Sequence, residues 1–92
     1  MLWASVRRFA RPGAPVLIMD LLRPSSRAEV DQLVERYAAG EAPFLQRDSH
    51  ASLCAAYRPE EVRAQLERAE LPAFRVEATS DRHFIVHGRA PA

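Results

Sequence analysis

A chain of 92 residues, 48% apolar and 27% charged, has the composition of one small folded domain and not of a disordered tail. Its net charge of +1 offers no global attraction to nucleic acid or to an anionic membrane. No apolar run approaches the ~18 residues of a membrane span, and the opening MLWASVRRFARPG places its arginines after the apolar residues, the reverse of a signal peptide, so a cytoplasmic protein is expected.

Residues 2–11 put Leu2, Trp3, Val6, Phe9 and Ala10 on one helical face, with Arg7, Arg8 and Arg11 off it. That face suits packing beside the next strand; a membrane surface is the alternative use of a basic amphipathic helix. Pro12-Gly13 stops the helix. PVLIMDL, residues 15–21, then reads as a strand apolar on both faces, the pattern of a strand central to a parallel sheet. It ends near Asp20 and runs into Arg23-Pro24.

Ser26 with Glu29 three residues on is a capping box, and Val30, Leu33, Val34, Tyr37 and Ala38 form the apolar stripe of the helix it starts. Gly40 is placed to end that helix. Residues 41–43 read as a break, and 45–57 as a weaker helix. Cys54 lies in its apolar run Leu53-Cys54-Ala55-Ala56 and reads as an inert buried thiol; as the only cysteine it excludes an internal disulfide and any C-x-x-C site. Pro59 suits the first turn of a further helix, with Glu60 and Glu61 at its positive end and Val62, Leu66 and Ala69 as its buried stripe. Phe74, Val76 and Ala78 alternate with Arg75, Glu77 and Thr79 as a strand does. Ser80-Asp81 gives a turn, and residues 83–87 give a last strand ended by Gly88.

The expected order is helix, strand, three helices, strand, strand, in one domain over residues 1–92. The long helical crossover lets the first two strands be parallel, and the tight last connection makes the final strand antiparallel. That is the closing half of an open α/β sheet.

RPGAPVLIMDLLRP, ERYAAGEAPFLQRDSHASLCAAYRPEEVRAQLERAEL and FRVEATSDRHFIVHGR, in this order and spacing, resemble the C-terminal half of class I S-adenosylmethionine-dependent methyltransferases, small bacterial ones above all. The likeness covers essentially the whole chain. It implies a partial Rossmann-like methyltransferase sheet with about four helices. Residues 15–21 would be the equivalent of strand 5, 74–79 of strand 6 and 82–87 of strand 7, the last antiparallel and lying between the other two. In that family the first half of the fold holds the cofactor, through a glycine-rich turn and an acidic residue ending the second strand. The glycines here are Gly13, Gly40 and Gly88, widely scattered. No cofactor-binding residue carries over, so S-adenosylmethionine belongs to the complete family member and the 92 residues alone are expected to be inactive. Arg58 stands where the family has a Ser- or Thr-like cap, and Glu70 where it often has Gly.

Ligands of open α/β sheets bind outside the carboxyl ends of the strands. If the family geometry holds, Asp20 and Arg23 at that end, with Arg47, Asp48, His50 and Ser52 from the insertion above it, face the substrate, a methyl acceptor of unknown identity. Against that, Asp20 reads as a cap or an ion-pair partner of Arg23, and His50 as a solvated helix residue. His83 and His87 share a strand face but stand about 13 Å apart, too far for one zinc, so no metal is expected. Tyr37, Tyr57, Phe44 and Trp3 read as packing residues and not as a base-stacking platform, so no nucleic-acid partner is expected. The alternative function is a non-catalytic α/β interaction module that pairs with a partner, or with a second copy as a homodimer, through the exposed edge of strand 15–21.

Overall fold

The computed structural model describes residues 3–91, which form four helices and three strands. The first helix, α1 (Trp3–Phe9), buries Trp3 and leaves its arginines outside; Leu2, expected on the same face, lies outside the described residues. Gly13, at φ +75°, makes the turn into β1 (Pro15–Leu21), a conformation that favours glycine. Then come α2 (Arg27–Ala38), α3 (Pro43–Ala55), α4 (Pro59–Arg68), β2 (Arg75–Ala78) and β3 (His83–Arg89).

The strands run in the order β1-β3-β2, with β3 antiparallel to both neighbours, so β1 and β2 point the same way. The sheet is therefore of α/β type with the last strand central and antiparallel, in agreement with the sequence reading. Phe84 and Val86 of β3, Val76 of β2, and Val16 and Ile18 of β1 turn to one face, where α1 and α4 close the main core with Trp3, Val62 and Leu66. Trp3 Nε1 donates to Gln65 Oε1 at 3.1 Å, and Arg7 Nη1 donates to the Ala69 and Glu70 carbonyls, each at 3.1 Å. So α1 both fills the core and caps the negative end of α4.

The opposite sheet face is bare. Leu17 and Met19 are 69% and 63% exposed, although the apolar pattern predicts a strand covered on both sides. A second, smaller core of Val30, Leu33 and Leu53 holds α2 against α3, and this hairpin reaches the bare face only through Leu21. The hairpin therefore extends beyond the end of the sheet. The radius of gyration is 15.4 Å, against about 12 Å for a compact domain of this length.

The outer edge of β1 is unpaired over a short window. Leu22 N–H bonds to Arg82 and Ala90 N–H to the Ala14 carbonyl, so the even-numbered residues of β1 face β3 and the odd-numbered ones face outward. Of these, Pro15 has no N–H, and the Leu21 N–H is taken by Asp20 Oδ1 at 2.8 Å. Arg23 N–H bonds to the Tyr57 carbonyl, closing the far end. Only Leu17 and Met19 keep both outward backbone groups free among the described residues.

Several boundaries differ from the sequence reading. Pro43, expected in a break, is instead the first turn of α3, where its missing N–H costs nothing. The same helix stops at Ala55, because Tyr57 is drawn into a parallel bridge with Leu22. Residue 88 does not end β3. Gly88 pairs with Val16, and a Cβ there would fall 2.7 Å from Phe74 Cδ1, so glycine admits Phe74 to the core. At the end of α4, Glu70 adopts φ +60° while Leu71 N–H bonds to Leu66 and Glu70 N–H to Glu67. This is a Schellman ending with a glutamate where glycine is preferred. Arg58 supplies no side-chain cap; Glu61 Oε1 accepts the Arg58 N–H at 2.9 Å instead.

Candidate functional site

At the carboxyl end of β1 a cleft of about 340 Å³ opens between the sheet and the α2–α3 hairpin. Its floor is Leu21, Leu33 and Leu53, and its polar wall includes Tyr37, Asp48, Ser52 and Arg82. Asp48 and Ser52 stand one helical turn apart on α3, which is why they share this wall.

The other expected site residues lie elsewhere. Arg47 and His50 look onto a groove on the other side of α3, with Asp31 and Val34. Arg23 is turned away, its Nε donating to the Ala56 carbonyl at 2.7 Å and its Nη2 lying 3.7 Å from Glu61. Asp20 makes no ion pair with Arg23; its carboxylate is spent on the Leu21 N–H. Of the six residues, only Asp48 and Ser52 line the cleft.

Tyr37, read from sequence as a packing residue, is 47% exposed and belongs to a polar cluster at the mouth of the cleft. Its hydroxyl donates to Asp81 Oδ2 at 3.0 Å, and the Arg82 guanidinium stacks 3.6 Å from the ring centroid. Arg36 Nη1 also donates to Asp81 Oδ2, at 2.9 Å, and Arg82 Nη1 to Oδ1 at 3.3 Å. The cluster ties α2 to the β2–β3 turn. Desolvation at the turn works to raise the Asp81 carboxyl. The Tyr37 hydrogen bond, then the hydrogen bond and charge of Arg82 and the charge of Arg36, outweigh it and hold the group below its ordinary 3.8. Phe44, also read as packing, is exposed, whereas Trp3 is buried.

Cys54 is half-buried, with its Sγ 3.7 Å from His50 Nδ1, while His50 Nε2 lies 2.9 Å from Asp31 Oδ1. The i, i+4 spacing of His50 and Cys54 on one helix carries that proximity in the sequence, but Asp31 joins them only through the packing of α2 on α3. On β3, His83 Nδ1 meets Ser80 Oγ at 3.1 Å and His87 Nε2 lies 3.3 Å from Glu77 Oε1 without hydrogen-bond geometry. Among the described residues no three His, Cys, Asp or Glu side chains group so as to hold a metal, and no helix is long and apolar enough to cross a membrane.

Fold and cleft together define a small α/β domain with a ligand-sized opening at a strand's carboxyl end. Comparison with known protein families, with curated proteins and with solved structures finds no match.

Proposed function

We propose that these residues are the closing half of a class I S-adenosylmethionine-dependent methyltransferase fold, and that the cleft under α2–α3 is its acceptor-facing wall. The observation that carries this reading is the strand order. An antiparallel β3 lies between β1 and β2, as the seventh strand of that family lies between the fifth and sixth. The unpaired outer edge of β1 is where a fourth strand would add.

In such an enzyme the methyl group passes by in-line displacement, and holding the acceptor in line with the donor supplies most of the rate. Tyr37, Asp48, Ser52 and Arg82 offer hydroxyl, carboxylate and guanidinium groups to orient an acceptor. The methyl donor would bind on the other half of the fold.

Calorimetric titration of the 92 residues with S-adenosylmethionine is expected to give no micromolar binding. The coding sequence upstream of Met1 is expected to continue in frame into a glycine-rich strand–turn–helix. Micromolar binding, or an in-frame stop immediately upstream, would overturn the reading.

The exposed Leu17 and Met19 favour a second reading, a self-pairing module that completes its sheet across the β1 edge. Light scattering separates the two. A discrete, well-folded dimer that Met19→Arg dissociates supports the module, and an aggregating or monomeric chain supports the partial enzyme.

A further inference from the structure

A second cavity, also about 340 Å³, lies between the start of α2 and the α3–α4 junction, away from the cleft. Three arginines, Arg23, Arg27 and Arg58, line it together with Ser25, Ser26 and Cys54, and no carboxylate does. The free end of α2 does not explain the site, because that end is already capped. Ser26 Oγ accepts the Glu29 N–H at 3.2 Å, and Glu29 Oε2 accepts the Ser25 N–H at 3.0 Å.

What remains unanswered there is the charge of Arg27 and Arg58. Arg23 is held in place by Ala56 and lies 3.7 Å from Glu61. Arg27 and Arg58 meet no carboxylate within ion-pair distance among the described residues. Arg27 and Arg58 thus bring two uncompensated positive charges to the opening, beside an Arg23 already partnered by Glu61. Their planar forks can bond two oxygens of a phosphate at once, a match that a monatomic ion cannot offer.

We propose that this cavity binds a phosphate-type oxyanion, either the free ion or the phosphate end of a small phosphomonoester, held by Arg27 and Arg58 against the fixed Arg23. Nothing in the proposal depends on methyl transfer. Cys54 lies in the wall and is the only cysteine, so it reports on occupancy.

The experiment follows alkylation of Cys54 by iodoacetamide with sodium phosphate, with phenyl phosphate, and with sodium chloride at matched ionic strength. An occupant that blocks the thiol slows the reaction by the factor 1 + [L]/Kd, about threefold at twice the dissociation constant. Protection by phosphate but not chloride, lost in the R27Q/R58Q double variant with its circular dichroism unchanged, is the expected result. Protection by phosphate alone assigns the free ion, and protection by both phosphates assigns a phosphomonoester end. Equal effects of phosphate and chloride, or protection that survives in the double variant, overturn the site. If the double variant does not fold, titration calorimetry of the native chain with phosphate decides, and absence of binding at about 10 mM overturns it.

Discussion

The sheet half and the helical hairpin are stabilised in different ways. In the sheet half eight buried side chains, Phe84 and Val86 at the centre, close a core under α1 and α4. The hairpin's own core cluster has three, Val30, Leu33 and Leu53, and the hairpin is tied down at its rim by polar groups: Arg36 and Tyr37 on Asp81, and His50 on Asp31. Hydrophobic burial follows area, whereas exposed ion pairs contribute little each. The hairpin is therefore the part that opens first, and the cleft opens with it.

The sharpest test of that contrast is a pair of truncations. Phe84→Ala is expected to cost about 3–5 kcal/mol, a large share of a small domain's stability, and to shift the whole urea transition. Leu33→Ala, whose site borders the cleft, is expected to cost about 2 kcal/mol and to raise hydrogen exchange in α2 and α3 before the sheet responds. Equal exchange in both halves would remove the distinction.

Gly88→Ala probes how tightly the sheet half is packed. Its new Cβ would meet Phe74 Cδ1 at 2.7 Å and the Phe74 Cα at 3.2 Å, so a loss of about 1–3 kcal/mol is expected by chemical denaturation. Glu70→Gly runs the other way. Relieving a left-handed glutamate is worth about 1 kcal/mol, reduced by the loss of its 3.4 Å contact with Arg7, so a net gain of about 0.5 kcal/mol is expected in the same assay.

The smallest effect concerns the rim. Asp81 has its folded pKa below the unfolded value, so its contribution is present above about pH 4 and is lost as the pH falls through the lowered folded pKa. Protection of α2 amides, taken relative to their intrinsic exchange rate at each pH, is expected to fall with acid in that range, and Asp81→Asn to remove this dependence.

Much of the sheet half was legible because its signals are local. Alternation marked β2, Pro-Gly marked the entry to β1, and the short Ser80-Asp81 turn required an antiparallel last strand. The Ser26 cap likewise marks the start of α2, although Glu29 reaches back to the Ser25 N–H and not to that of Ser26. The cleft was harder to read. Asp48 and Ser52, expected above the strand end, line the cleft, but Arg82 comes from a distant turn and Tyr37 carries the same sequence signal as its buried neighbours. Nothing in the one-dimensional pattern separates an aromatic ring that enters the core from one that carries an arginine. Asp20 and Arg23 do not line the cleft for a related reason: each bonds a backbone group, which sequence spacing does not reveal.

The two closures at the ends of β1, Pro15 without its N–H and Asp20 over the Leu21 N–H, bear on polymer growth. Fibre-forming zippers need about six or seven residues of continuous strand, and this edge offers Leu17 and Met19 alone. A second such edge could meet it only antiparallel about Ile18, through those few free hydrogen bonds. Joining P15V with D20A would lengthen the free edge, and that variant is expected to form fibres faster than the native chain. A proline and a carboxylate thus shorten the edge that an otherwise continuous apolar strand would offer to a growing sheet.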